Sequence, residues 1–254
     1  MIIDEPRESQ MQCLRELWQE AFGDTEEFLD AFGQTAFSKE RCRCVSTDGK
    51  VAAALYWFDC TLEDKPIAYL YAIATSRACQ GRGICHELME NTHRHLGRLG
   101  YQGAVLVPGS KKLFRLYEEM GYRVCSGIRE ISCTASVQKV PLERISEAEY
   151  AEFRRKLLPE GGVVQENENL KFLQTQARIY AGPNVLLAAK VESGRLYGLE
   201  LLGDETKAPE IVSALSCEGG IFRVPGTDKP FAMYRQLKES ELPAPSYFGL
   251  AFDN

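Results

Sequence analysis

The spacing of apolar residues changes character several times along the chain. Between residues 9 and 22, Leu14, Leu17, Trp18 and Phe22 recur at helical spacing, which marks one face of an amphipathic helix. Phe28, Leu29 and Phe32 repeat the pattern after Thr25, and Ser9 and Thr25 stand where N-caps belong. The period then shortens. "RCRCVSTDGKVAAALYWFDC" reads as two strands about an Asp48-Gly49 hairpin turn. "TLEDKPIAYLYAIATS" adds a turn at Glu63-Asp64-Lys65-Pro66 and a third, strongly apolar strand. Ile84, Leu88, Leu96 and Leu99 return to one helical face, which Gly97 weakens and Gly100 ends. "GAVLVPG" is a short buried strand. "SKKLFRLYEEMGYRV" is a capped helix with Leu113, Leu116, Tyr117 and Met120 on one face, ended by Gly121 and followed by a strand.

The resulting order is helix, helix, three strands, helix, strand, helix, strand, an α+β domain over roughly the first 130 residues. A polar connection, "TASVQKVPLERIS", follows. Beyond it, residues 147–158 and 167–180 read as helices, and "NVLLAAKVESGRLYGLELLGD" as two strands about Ser193-Gly194. A short helix over 208–215 and strands near Ile221, Phe231 and Tyr247 complete the chain. This is a shortened echo of the first half in element order, without a residue-by-residue repeat. Two units are expected, residues 1–132 and a smaller 133–254.

Composition narrows the class. With 254 residues, 44% hydrophobic and 26% charged, the chain is an ordinary globular protein with a core. No apolar run approaches the ~18 residues of a membrane-spanning helix, and "MIIDEPRESQ" is no signal peptide. A net charge of −6 argues against nucleic-acid binding through a basic face. The nine cysteines are odd in number; Cys42-Arg43-Cys44 is a C-x-C without a partner pair at zinc spacing, and His86, His93 and His95 share one helix. These features point to a reducing, cytoplasmic setting and no metal.

One segment stands out. In "IATSRACQGRGICHELM", Gly81 and Gly83 follow a strand and open a helix. There, side-chain-free backbone lets phosphate oxygens reach consecutive amides, and Arg82 adds charge. A dinucleotide fingerprint fails, because His86 stands where its third glycine belongs. A P-loop fails too, since neither Gly81-Arg82-Gly83 nor Gly109-Ser110-Lys111 continues as Gly-Lys-Ser/Thr.

The strand "YLYAIAT", the loop "QGRGIC" and the later "LFRLYEEMGYRV" together resemble the GNAT superfamily of N-acetyltransferases, in element order over about residues 1–130 and most specifically over 67–124. The resemblance implies a mixed central sheet flanked by helices, with acetyl-coenzyme A as co-substrate. It assigns Ile73, Ala74 and Thr75 to the pantetheine arm, and Gln80, Gly81, Arg82, Gly83, Ile84 and Cys85 to the pyrophosphate. Cys85 departs from the usual Gly or Ala but is small. Tyr117 falls where the family carries the general acid that protonates the leaving thiolate, a task suited to a phenol; the competing reading is a core tyrosine.

Where several relatives have a strand glutamate as base, this chain has Ile67. Asp59, Glu63 and Tyr69 stand nearby, and none is assigned. Lys111, Lys112 and Arg115 are candidates for the cofactor's outer phosphate or a solvated face, and Tyr56-Trp57-Phe58 for a substrate cleft. The second half has "LLGDETKAPEI" in place of the glycine loop, so it resembles a degenerate GNAT repeat. By similarity to the intracellular-survival acetyltransferases, the terminal carboxylate at Asn254 is a candidate base. The expected activity is direct transfer of acetyl to an amine on a small molecule or peptide, with the C-terminal half shaping the acceptor site or a homodimer interface. The alternative is a non-catalytic acyl-coenzyme A-binding module acting through a protein partner.

Overall fold

The computed structural model describes residues 1–47, 50–239 and 242–252. The Asp48-Gly49 turn and Asn254 lie outside them. The first half runs β1 (Ile2–Asp4), α1 (Met11–Phe22), α2 (Glu26–Thr35), β2 (Cys42–Thr47), β3 (Lys50–Leu62), β4 (Lys65–Thr75), α3 (Ile84–Leu99), β5 (Gly103–Leu106), α4 (Lys111–Glu119) and β6 (Arg123–Thr134). The second runs β7 (Glu143–Arg144), α5 (Glu147–Leu157), β8 (Val164–Gln165), α6 (Glu168–Gln176), β9 (Arg178–Gly182), β10 (Val185–Glu192), β11 (Arg195–Gly203), α7 (Ala208–Ala214), β12 (Gly219–Gly226) and β13 (Lys229–Gln236). This is a mixed α+β fold.

Several boundaries differ from the periodicity. A 3-10 turn over Glu8–Gln10 puts Gln10, not Ser9, at the α1 N-cap, whereas Thr25 does cap α2, accepting from the Phe28 N–H at 3.3 Å. Leu99 is 57% exposed at the end of α3, and Met89 and His93 take the interior instead. The helix expected to reach Tyr180 stops at Gln176; Ala177 is extended, and Ile179 and Tyr180 join the sheet, where branched and aromatic side chains pack well. Tyr247 makes only an isolated bridge to Gly162.

All strands form one sheet in the order β1-β2-β3-β4-β5-β13-β6-β12-β11-β10-β9-β7, with β8 on β3. The last strand of each half sits in the other half's territory: β13 pairs with β5, and β6 pairs with β12. The two strands also pair with each other at the centre. On either side of this exchange lies one parallel pair, β4 with β5 and β11 with β12, and the other neighbours are antiparallel.

Alternation along β3 and β4 divides the core. Tyr56, Phe58, Ile67, Tyr69 and Tyr71 face a cluster beneath α1, α2 and α6, which continues into the second half through Phe172, Leu186 and Leu202. Leu55, Trp57, Ala68 and Leu70 face a second cluster closed by α3 and by Tyr117 and Met120 of the α4 segment. Leu113 and Leu116 are only half-buried there. A third cluster lies under α7. No helix among the described residues is long and apolar enough to cross a membrane.

Candidate active site

Pairing between β4 and β5 covers Ile67–Tyr69 against Gly103–Val105 and ends there. At the same point β4 is bulged: its register against β3 slips between Tyr71 and Ala74, and Ala72 takes a left-handed φ of 47°. A bulge twists a strand and re-aims its residues, so β4 leaves β5. The opening is a cleft of about 410 Å³. Its walls are Leu70–Ile73 from β4, Leu106 and Val107 past β5, and Gly109, Ser110, Leu113 and Tyr117 from the α4 segment. Trp18, Phe22, Asp24, Tyr69 and Phe252 also line it. Tyr117 belongs to the core under α3, whereas Trp18, Tyr71 and Phe252 belong to the core under α1 and α2. The cleft therefore passes through the sheet from one face to the other.

The glycine loop lies at the far end of β4. Gly81 and Gly83 have φ of 72° and 76°, conformations that side chains disfavour, and a Cβ at either would meet nothing within 4 Å. Gly83 is the N-cap of α3 and supplies no side-chain acceptor. The first-turn amides there are open, unlike those of α2, α4 and α5, which Thr25, Ser110 and Ser146 cap. Together with exposed Arg82, this end of a long helix suits an anion. Gln80 ties the loop to β4 by donating from Nε2 to the Thr75 carbonyl at 3.1 Å. Burial raises the Cys85 thiol above its usual range, against a Thr75 hydrogen bond, so it stays protonated. Ile84 is buried under the loop.

Tyr117 is 5% exposed yet lines the cleft, so packing and lining coexist in one residue. Behind it, Tyr122 packs edge-on at 5.9 Å between ring centres. The Tyr122 hydroxyl is 2.8 Å from His93 Nε2, and Arg235 of β13 lies 2.9 Å from His93 Nδ1. Since the guanidinium can only donate, Nδ1 accepts and Nε2 carries the proton toward Tyr122. Burial first, then Arg235, lowers His93 to about 4. Arg235 also pairs with Glu90 of α3 and donates to the Met120 carbonyl at 2.8 Å. The strand from the second half thus fastens the loop helix α3 to the end of the Tyr117 helix.

Of the residues singled out in the sequence, Ile73 and Tyr117 meet in the cleft; Ala74, Thr75 and the Gln80–Cys85 loop continue from it along β4. Tyr69 lines the cleft. Asp59 instead pairs with Arg41 and accepts from the Tyr101 hydroxyl, and Glu63 sits in the hairpin turn after β3. None of Tyr56, Trp57 and Phe58 lines it: Trp57 is buried toward α3, and Tyr56 borders a separate 300 Å³ cavity with Leu14 and Phe32. Sequence patterning does not single out Trp18, Asp24 or Phe252 as lining residues. The helical stripe explains Trp18 as core, and nothing local announces that residues 248–252 return to β4. They do so through buried anchors: Gln165 donates to the Leu250 carbonyl at 2.7 Å, Tyr71 donates to the Phe252 carbonyl at 3.2 Å, and Phe248 packs on Tyr69 at 4.7 Å.

The corresponding place in the second half is closed. β11 parts from β12 after Gly198, with its own register shift, but Glu200 beside the gap is fully buried and accepts from Arg154 Nε and Nη2 at 2.8 and 2.9 Å. Tyr150 and Tyr247 hydroxyls donate to the same carboxylate, each at 3.1 Å. At the next helix, Asp204 accepts from the Thr206 N–H at 3.1 Å, and α7 carries Pro209 in its first turn.

Comparison with known proteins agrees with this geometry. The profile of the family described as acetyltransferase (GNAT) domain matches residues 3–125. Among solved structures, a GCN5-related N-acetyltransferase from Anabaena variabilis superposes with a TM-score of 0.73 at 13% identity, covering 93% of this chain and 73% of that one. One from Kribbella flavida gives 0.71 at 15%, covering 92% and 70%. A probable N-acyltransferase from Enterococcus faecalis gives 0.69 at 16%, covering 93% and 72%. Curated protein sequences returned no match. Residues 3–125 thus match the GNAT acetyltransferase domain in sequence, and nearly the whole chain shares the fold of GCN5-related N-acetyltransferases.

Proposed function

We propose that the protein is an acetyl-coenzyme A-dependent N-acetyltransferase that moves acetyl directly to an amine. The observation that carries this is the continuity of cleft, bulged strand and uncapped glycine loop, with Tyr117 at the inner end. In this reading the pyrophosphate lies against the amides from Gln80 to Cys85, and the pantetheine arm runs along Ile73, Ala74 and Thr75. The thioester enters the gap where β4 leaves β5. An amine nitrogen attacks its carbonyl carbon, the C–S bond breaks, and Tyr117 gives its phenolic proton to the departing thiolate. The amine's proton leaves through solvent or the far side of the cleft.

The second half, residues 133–254 from the last residues of β6 onward, acts as a degenerate repeat of the same unit. Its mirrored strand order and its parallel pair before β6 support that reading; its α7 start, with Pro209 in the first turn and a 3-10 turn capped by Asp204 before it, supports the loss of anion binding. Its contribution to the site is Phe252, which lies on the acceptor side. The test is calorimetric titration of coenzyme A into wild type and Gly83→Glu, beside a free-thiol assay with a panel of amines. Binding should fall by at least ~100-fold in the variant, because a carboxylate would stand where the anion belongs. Equal affinity, or thiol release with no amine, overturns the proposal.

A further inference from the structure

The cleft's acceptor side is aromatic, and Asp24 is the one charged residue among its described lining residues. Gly23, at φ 76°, ends α1 and turns the chain so that Asp24 falls back against Trp18. The indole Nε1–H donates to Asp24 Oδ2 at 2.8 Å. An indole needs a single acceptor, which a neutral side chain supplies equally well. Here a full negative charge does it, and Oδ1 has no partner among the described residues. No Lys or Arg pairs with Asp24 there, although arginines and lysines pair with acids elsewhere on the chain.

The surroundings fit a positive ligand. Trp18 lies 5.8 Å from Phe22 and 5.6 Å from Tyr71 between ring centres, and Phe252 lies 6.1 Å from Tyr71. Aromatic faces beside an open carboxylate oxygen attract an ammonium, tryptophan most strongly. The attacking nitrogen cannot be that ammonium, because it needs its lone pair. A cation held at Asp24 must therefore be a second group on the acceptor. An amino acid or acidic peptide would instead bring a carboxylate toward Asp24, with no lining cation to receive it.

We propose that the acceptor is a diamine or longer polyamine, one nitrogen held as ammonium between Asp24 and the Trp18–Tyr71 aromatic wall while another attacks the thioester. This rests on the acetyltransferase reading. The step adds no chemistry: the attacking nitrogen gains the acetyl group, the C–S bond breaks, and the anchored nitrogen keeps its proton throughout.

The test compares α,ω-diaminoalkanes, from 1,3-diaminopropane to 1,6-diaminohexane, with monoamines of equal length in the thiol-release assay. The variant is Asp24→Asn, which keeps an oxygen for the indole N–H and removes only the charge. The best diamine should exceed its monoamine by about tenfold in kcat/KM, mostly through KM, and Asp24→Asn should bring the two within about twofold. An Asp24 that only satisfies the indole predicts no change in that ratio. Equal use of monoamines, or a preference that survives in Asp24→Asn, overturns the diamine inference and leaves the acetyltransferase reading standing. Thiol release with no amine at all overturns both.

Discussion

The sheet contains two gaps where parallel strands part, and they differ in what occupies them. Between β4 and β5 the neighbouring helix α1 presents Trp18, and a cleft stays open. Beside β11 and β12, α5 brings in Arg154, whose guanidinium meets Glu200, and the space is filled by an ion pair with two tyrosine hydroxyls. The helices that follow each gap also differ: α3 starts after two glycines, whereas α7 follows a 3-10 turn that takes the Thr206 and Ala208 N–H groups, and Pro209 in its first turn has none. Two regions of similar topology thus part company through a few side chains. Topology supplies a gap, and local chemistry decides whether it binds or braces.

The largest effect should come from unbalancing the closed gap. Glu200→Ala leaves Arg154 buried without its counter-charge, which should cost about 3–5 kcal/mol of stability, read as the midpoint of urea unfolding. Replacing both partners with leucine should recover much of that loss, because an apolar pair avoids the desolvation of two charges. A Glu200→Ala midpoint equal to wild type would mean the network braces nothing.

In the open gap the decisive change is smaller. Tyr117→Phe keeps the ring and its packing on Tyr122. With chemistry rate-limiting, kcat should fall by about 100-fold while coenzyme A affinity stays constant, as expected for a group acting on charge that develops in the transition state. Unchanged turnover would return Tyr117 to the core alone.

The smallest effect is a null one. Titration should saturate at one coenzyme A per chain, and Asp204→Gly should not create a second site, because Pro209 still lacks an amide and Glu200 still fills the gap. Two equivalents bound would erase the distinction between the halves.

Much of this molecule is legible in its sequence. Periodicity locates most of the longer elements, since one-sided burial writes itself into i, i+3, i+4 spacing or alternation. The glycine pair is legible because left-handed backbone restricts the residue type at Gly81 and Gly83. What stays hidden is long-range. The α6 helix ends early, at a residue whose extended backbone follows from sheet pairing. Leu99 carries a helical period past the point where α3 leaves the core. Arg235, Glu200 and Phe252 derive their meaning from partners far along the chain: Glu90, Arg154 and Tyr71. No window of neighbouring residues contains those pairs.

The strand exchange has a consequence for how the protein is made. During translation the first half emerges complete in its own residues by Thr134, yet the strand that belongs between β5 and β6 begins only at Lys229. Until the ribosome has delivered it, β5 and β6 expose unpaired edges, and Glu90 and His93 wait for Arg235. Folding from the N-terminus outward, the usual order for successive domains, cannot finish here. The glycine-loop half must remain open until β13 has been delivered, and a product cut short before β13 would lack a strand in the middle of its sheet.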